Sequence, residues 1–483
     1  MRSEAHIQQW LGAKMIYQLK TPLMVGASLV RGHLYIFTIL LFVAFSAKAS
    51  ELLSLADAIE RAQQEDPWLT ANQFTERAMR AKSIASGSQA DPKLALGYAN
   101  LPLDSWHVNQ QDMTQVKLSV SQQFARGDSL AIKQAQLKTA AKQYQLLRED
   151  RIAELKKALT LLWLDAYLSR QSIYLIEQDR TLFEQLAEVA SASYSHALGQ
   201  TQQQDVIHAQ LEILQLEDRL LTHKQNLNEG ISALHQWLDV SSESINDTKV
   251  SGQQYELNLA QLPEISLTSA GISKQAVSAQ QIMPMLLKHP AVMAIDIHYQ
   301  TRRQGIKLAR QSYKPQWGVS ASYGYRADRP EGGRRSDLFS VAVTFDLPLF
   351  TEHKQDQQVI AAVAEAEVVK SQKLLTLKQM FSQLKVELSR LAQLTARRFL
   401  YSEQLLPQTK QQVEASLASY THDDGDFSQV VKARISLLDA RISALKINVE
   451  KLKTITRINY LSTQASAKAE REWSQARRLN HAK

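Results

Sequence analysis

Two prolines 25 residues apart, Pro67 and Pro92, return as Pro290 and Pro315, each displaced by 223 positions. Farther on, Tyr194-Ser-His196 with Gly199 returns as Tyr420-Thr-His422 with Gly425 at an offset of 226, and Val206-Ile-His-Ala209 returns as Val430-Val-Lys-Ala433 at 224. A unit of more than 200 residues is too long for a solenoid repeat, so the chain is an internal duplication of one large motif. Within each copy the order reads helix, strand, strand, long helix, break, helix. The copies span about 50–240 and 286–465, with an inter-repeat, equatorial segment over 241–285 that is Ser/Gln-rich and lacks strong periodicity. A polar tail, 466–483, ends the chain.

Few residues interrupt helices. Glycine (16) and proline (11) together make up under 6% of 483 positions. That is about half the usual share and disfavours a loop-rich enzyme with many βα turns. From about 128 to 196 nothing breaks the helical pattern, which gives a rod of roughly 100 Å; the counterpart runs from about 353 to 420. Leu374, Leu377, Phe381, Leu384, Leu388 and Leu391 recur at spacings of 3 and 4, as do Ile152, Leu155, Leu159, Leu162 and Ala166. Such a seam needs a partner helix, and 203–238 and 427–462 are natural antiparallel partners. The seam residues are core and carry no chemistry.

Between the helices, short stretches alternate with period two. In 316–326, Trp317, Val319, Ala321, Tyr323 and Tyr325 face away from Gln316, Gly318, Ser320, Ser322 and Gly324. Phe339, Val341, Val343, Phe345 and Leu347 do the same against Ser340, Ala342, Thr344 and Asp346, and copy one repeats the scheme with Leu94, Leu96, Tyr98, Val116, Leu118 and Val120. Strands are predicted over about 93–103, 113–124, 315–326 and 337–348. A half-buried sheet of a soluble domain has the same pattern. Small polar residues on the second face, in an exported chain, favour a barrel with lipid outside and water inside. Four strands cannot close a barrel, and open edges are forbidden in hydrocarbon. Closure then demands oligomerisation, and three copies give twelve strands.

Export is read from the N-terminus. Arg31 and His33 precede the apolar run Leu34–Phe45, followed by Ala47-Lys-Ala49 with small residues at the −3 and −1 positions. Twelve apolar residues are too few to span a bilayer as a helix but suit a signal peptide, 1–49, with Met24 as an alternative start. Removing it takes five basic residues and one acid from totals of 56 and 48, leaving about +4, which is no nucleic-acid-binding balance. The absence of cysteine excludes disulfides, Cys-ligated metals, thiol catalysis and an N-terminal lipid anchor on Cys. No Walker-type loop, H-E-x-x-H, G-x-S-x-G or dinucleotide fingerprint is present, so no enzyme and no cofactor are expected.

With its duplicated unit, strand pairs, long helices and tip breaks, the sequence resembles the TolC family of outer-membrane factors over essentially the whole mature chain. Ala90-Asp-Pro-Lys-Leu94, Asn100-Leu-Pro102, Met113-Thr-Gln115 and Phe124-Ala-Arg-Gly-Asp128 most resemble the branch paired with heavy-metal exporters of the resistance-nodulation-division type. The resemblance implies a mainly α chain with a transmembrane β-barrel portion. It implies a homotrimer that forms a twelve-stranded barrel in the outer membrane of a Gram-negative bacterium and a long α-helical barrel across the periplasm. The implied function is the passive, non-enzymatic exit duct of a tripartite efflux system, with a periplasmic adaptor and an inner-membrane pump as partners. Metal cations are the expected cargo. Drug efflux, type I protein secretion and a periplasmic coiled-coil structural protein are the alternatives.

The candidate site residues fall into two groups. Trp317, Tyr323, Tyr325, Phe339 and Phe345 are expected to face lipid. At the hairpin tips, Tyr194, Gly199, Asp205, Tyr420 and Gly425 match the family's tip, where Asp205 and Tyr420 are expected to join the hairpins by a hydrogen bond; Asp205 equally suits capping of the next helix. Asp423, Asp424 and Asp426 would place nine carboxylates at a threefold mouth, or cap a solvated turn. The family's acidic gate positions here carry Gln429 and Lys432. His196, His208 and His422 lack ligand spacing, so no metal site is expected. The loop Arg326–Arg335 should lie at the outer mouth.

Overall fold

The computed structural model describes residues 52–195, 203–238, 256–268, 279–422 and 427–481. The expected signal segment lies outside them. Copy one opens with α1 (Leu55–Glu65) and α2 (Pro67–Ser86), then β1 (Lys93–Ala99), β2 (Gln115–Gln123), α3 (Ser129–Ser195) and α4 (Gln203–Leu238). After α5 (Ala279–Leu287), copy two follows as α6 (Pro290–Arg310), β3 (Gln316–Tyr325), β4 (Leu338–Asp346), α7 (Gln355–Leu400), α8 (Leu406–Thr421) and α9 (Phe427–Leu461), and α10 (Ala467–His481) ends it.

The stepped offsets between copies map onto particular connections. From α2/α6 to β2/β4 the offset is 223; it becomes 226 at the starts of α3 and α7 because the β4–α7 junction, 347–354, is longer than the β2–α3 junction, 124–128. It falls to 224 at the starts of α4 and α9, so the two tip connections differ in length as well. Insertions have accumulated where the backbone leaves regular ladders, which is where they cost least.

Helix starts are set locally. Ser54 and Asp57 form a capping box before α1. The prolines at the N-termini of α2 and α6 supply a fixed φ and no unsatisfied N–H. Each is preceded by an equivalent cap, Asp66 accepting from Trp68 N at 2.9 Å and His289 Nδ1 accepting from Ala291 N at 3.3 Å. The three largest buried clusters among the described residues hold the rods. Leu159, Trp163 and Ala166 of α3 pack with Leu234 and Leu238 of α4 and Ala58 and Ala62 of α1. Leu377 and Leu384 of α7 pack with Ile458 and Leu461 of α9 and Ile282 and Leu286 of α5. Ile176 and Phe183 of α3, Leu216 of α4 and Phe427 and Leu438 of α9 form the tip core. Each buried leucine contributes about 1.5–3 kcal/mol.

Three expectations change. The second long helix is not continuous: a π turn over Tyr401–Leu405 divides α7 from α8. Pro407 lies at the start of α8 and lacks the N–H that an α-helical ladder requires, so the backbone widens by one turn just before it. Leu374 is 56% exposed and Ile152 37%, whereas Leu384 and Leu159 are fully buried, so both seams begin one step later than their leucine spacing suggests. The polar tail is also a docked helix. Ser466 Oγ accepts from Ala469 N at 3.3 Å, Ala469 and Ala476 are buried, and Trp473 Nε1 donates to Asp296 of α6 at 2.9 Å. Asp296 is further paired with Lys373 of α7.

Candidate functional site

The four strands form one antiparallel sheet in the order β1-β2-β3-β4. Its register decides the arrangement of faces. Leu96 lies opposite Leu118, Leu118 opposite Tyr323, and Tyr323 opposite Phe339; at the other end Trp317 lies opposite Phe345. Apart from Leu338 and the small Ala95, Ala99 and Ala342, every apolar strand position therefore falls on one side, with Gln122 the polar exception, and the glycine, serine and threonine positions fall on the other. No helix among the described residues covers the apolar side: Leu96 is 74% exposed, Phe339 71% and Val341 61%. A sheet of a water-soluble domain buries that face, so this exposure marks a surface made to be covered by lipid or by another chain.

Trp317, Tyr323, Tyr325, Phe339 and Phe345 all lie on the exposed apolar side. Their rings divide between its two ends. Trp317 and Phe345 stack edge to face at 4.6 Å between centroids near the helices, while Tyr323, Tyr325 and Phe339 gather at the far end. Trp317 and Tyr325 are separated by roughly 26 Å along β3, which at a strand tilt of about 40° is roughly 20 Å of height, most of the apolar band that aromatic girdles flank in an outer-membrane barrel. Tyr323 donates its hydroxyl to Asp337, which gives the ring a wet end and an apolar body.

Below the sheet, the strings quoted for the heavy-metal branch do structural work. Arg126 pairs with Asp346 at the end of β4 and donates from Nη1 to Lys314 O at 2.9 Å. Asp128 accepts from Lys314 Nζ at 3.0 Å, and its own N–H donates to Gln311 Oε1 at 3.1 Å. Gly127 between them has φ +46°, a left-handed conformation that favours glycine, and a Cβ there would also displace the Lys314 and Gln311 side chains that close the two junctions on each other. Gln122 Nε2 donates to Ala90 O at 2.7 Å, and Thr114 Oγ1 donates to Asn100 O at 2.7 Å, which ties the remaining strings into the same scaffold. Sequence reasoning quoted Phe124–Asp128 without seeing this node; its signal was a glycine flanked by opposite charges in a chain poor in breakers.

Above the sheet, the loop Arg326–Arg335 is bound to the β1–β2 loop. Arg335 donates to Asp112 at 2.7 Å and to Asn109 O at 3.2 Å, Arg326 donates to Asp112 O at 3.2 Å, and Arg329 reaches Asp112 at 3.4 Å. These arginines hold two loops together; they are not a free basic patch.

At the tips, Asp205 is buried in the first turn of α4, where a carboxylate meets the positive end of the helix. Tyr420 packs its ring edge to face on Phe427 at 5.7 Å between centroids, and Val206 beside Asp205 packs against the same tip core. Tyr194 lies in the last turn of α3, while Gly199, Asp423, Asp424, Gly425 and Asp426 lie outside the described residues, as does His196. His422 is exposed, with Nδ1 2.8 Å from Ala418 O, and His208 is exposed as well. No group of three metal-ligating side chains occurs among the described residues.

A buried polar node joins the copies at the equator. Tyr460 of α9 donates its hydroxyl toward Asp150 and Glu154 of α3, both at 3.3 Å. His289 Nε2 lies 3.0 Å from Tyr460 O and Nδ1 accepts from Ala291 N, so the ring is the neutral Nε2–H tautomer. Burial pushes His289 down to about 4. Burial, then the charge of Glu154, pushes Asp150 up to about 6.

Neither a protein-family model nor any curated protein matches the chain by sequence. Solved structures do match. The outer membrane protein VceC from Vibrio cholerae is 15% identical with a TM-score of 0.66, the match covering 85% of this chain and 96% of that one. The outer-membrane channel OprN is 12% identical with a TM-score of 0.68, covering 85% and 90%. The CmeC outer membrane channel of Campylobacter jejuni is 12% identical with a TM-score of 0.67, covering 87% and 89%. As the resemblance to the TolC family led one to expect, the chain has the fold of the outer-membrane factor channels.

Proposed function

We propose that the chain is the outer-membrane exit duct of a tripartite efflux system in a Gram-negative bacterium, conducting solute passively from an inner-membrane pump and periplasmic adaptor to the exterior. One observation carries the reading: a four-stranded sheet whose apolar side is bare from end to end and whose edge strands, β1 and β4, have no further strand partner among the described residues. In hydrocarbon both edges must be paired, so β4 of one copy would pair with β1 of the next and three copies would close twelve strands. The helical part supports the same closure. Ile207, Leu211, Leu214 and Leu221 form an exposed seam on α4, and Leu349 and Phe350, 74% and 91% exposed, project from the β4–α7 junction; both are surfaces a neighbouring copy would cover. Long helices below the barrel would then form the periplasmic duct, with Asp205 and Tyr420 at its inner end.

Cargo is a separate matter. The strings resembling the heavy-metal branch have structural roles in this chain, so the expectation of metal cations rests on the resemblance alone, beside drug efflux and protein secretion. Because the chain has no cysteine, single cysteines along β4 test the barrel directly. Thiols replacing Ser340, Ala342 and Thr344 should react in intact cells or isolated membranes with a water-soluble, membrane-impermeant reagent. Those replacing Val341 and Val343 should react only with a lipid-soluble one. Equal labelling of both sets would overturn the duct.

A further inference from the structure

The polar face of the sheet carries three charged side chains among the described strand residues: Lys93, Lys117 and Asp346. Its one carboxylate is already engaged, because Arg126 reaches up from the β2–α3 junction to Asp346. Lys117 stands in mid-face. Gly97 lies directly opposite it on β1 and Gly324 opposite it on β3, with Ala95, Ala99 and Ser322 as the diagonal neighbours. A Cβ on Gly97 would meet nothing within 4 Å, so the space beside Lys117 is open. The lysine is exposed and makes no ion pair among the described residues. At the rim above, Asp112 is held by Arg329 and Arg335, and Asp337 by the Tyr323 hydroxyl and Arg326 N, so neither carboxylate is free to neutralise it.

We propose that Lys117 determines the ion selectivity of the barrel, its copies forming a cationic ring that passes anionic solutes in preference to cations; this rests on the duct reading above. The dimensions make such a ring effective. Twelve strands spaced about 4.8 Å apart and tilted about 40° enclose a barrel of roughly 12 Å radius. A lysine stem reaches about half that distance, so each ammonium sits roughly 6 Å from the axis. The Debye length in physiological salt is about 8 Å, so no solute on the axis is screened from the ring. A lumen-lining ring of one sign enriches counter-ions several-fold where water is confined by low-dielectric walls. Lys93 adds charge of the same sign nearer the helices. The ring works against bare metal cations as the solute the barrel favours.

The test is the reversal potential of the purified full-length protein in planar bilayers under a potassium chloride gradient. Wild type should pass chloride over potassium. Lys117→Gln, close in length and uncharged, should lower the chloride-to-potassium permeability ratio several-fold, and Lys117→Glu should invert it. Conductance with an unchanged ratio in both variants would overturn the role of Lys117 and leave the duct standing. A Lys117→Cys thiol that resists a water-soluble reagent in membranes would instead overturn the wet inner face, and the duct with it.

Discussion

The two copies share one backbone plan and differ in how each is finished. Copy one ties its helix start and junction by charge: Asp66 caps α2 and is bound by Arg151 at 2.8 Å, and Arg126, Gly127 and Asp128 lock the β2–α3 junction against copy two. Copy two uses a neutral histidine at the cap position equivalent to Asp66, has a longer junction bearing bare Leu349 and Phe350, and carries a π turn where copy one runs straight. Duplication supplied two equal halves. Both keep surfaces that another copy would cover, the β1 edge and the α4 seam in one, the β4 edge with Leu349 and Phe350 in the other, and they differ in how their helix starts and junctions are tied. The contrast is sharpest at the caps: Asp66 of copy one is held by a charged partner, whereas its counterpart His289 in copy two is neutral and fully buried.

The largest difference between the halves should come from the caps. Arg151 is also placed over the rings of Trp68 and Trp237, at 5.8 and 5.5 Å from their centroids, and Asp66 is nearly inaccessible. Arg151→Ala strands that carboxylate and should cost about 2–4 kcal/mol, less than a wholly buried pair because Arg151 keeps some contact with water. His289→Asn exchanges one neutral cap for another and should cost about 1–2 kcal/mol. Denaturant titration of the purified protein checks both, and equal losses would erase the distinction between an ionic and a neutral cap.

A smaller effect sharpens the contrast through pH. Asp150, raised from 3.8 to about 6, holds its proton in the folded state, so its contribution is present below 3.8 and lost as pH rises through about 6. His289, lowered from 6.5 to about 4, contributes stability above 6.5 that is lost as pH falls through about 4. Between about pH 4 and 6 the two oppose each other, and thermal stability from this node should be nearly level. Asp150→Asn removes one side of the balance, so its melting temperature should fall as pH drops from 6.5 toward 4. His289→Asn should do the reverse and gain stability on acidification, each by about 2 kcal/mol over the window. Parallel profiles for wild type and both variants would remove the node from the account.

What could be read from the sequence was what repeats at short range. Alternation along β3 and β4 is a property of consecutive residues, and the registers only had to carry it from strand to strand for the apolar positions to share one side. The leucine seams were legible for the same reason, although Leu374 and Ile152 show that spacing alone does not say where the packed stripe begins. Long-range ties were not legible. Nothing adjacent to Arg126 announces Asp346, and a histidine before a proline is not an expected cap. Pro407 was visible, but the helical pattern on both sides of it continues, and a π turn absorbs the defect without ending the rod. The docked C-terminal helix was hidden by charge: among its described side chains, Ala469, Trp473 and Ala476 mark the packed side.

The central claim is that the chain completes itself only with copies of itself, in the outer membrane. The direct measurement is the detergent-corrected protein mass of material extracted from isolated outer membranes. The account predicts three mature chains per particle. A single chain per particle, or absence of the protein from that membrane, would contradict it.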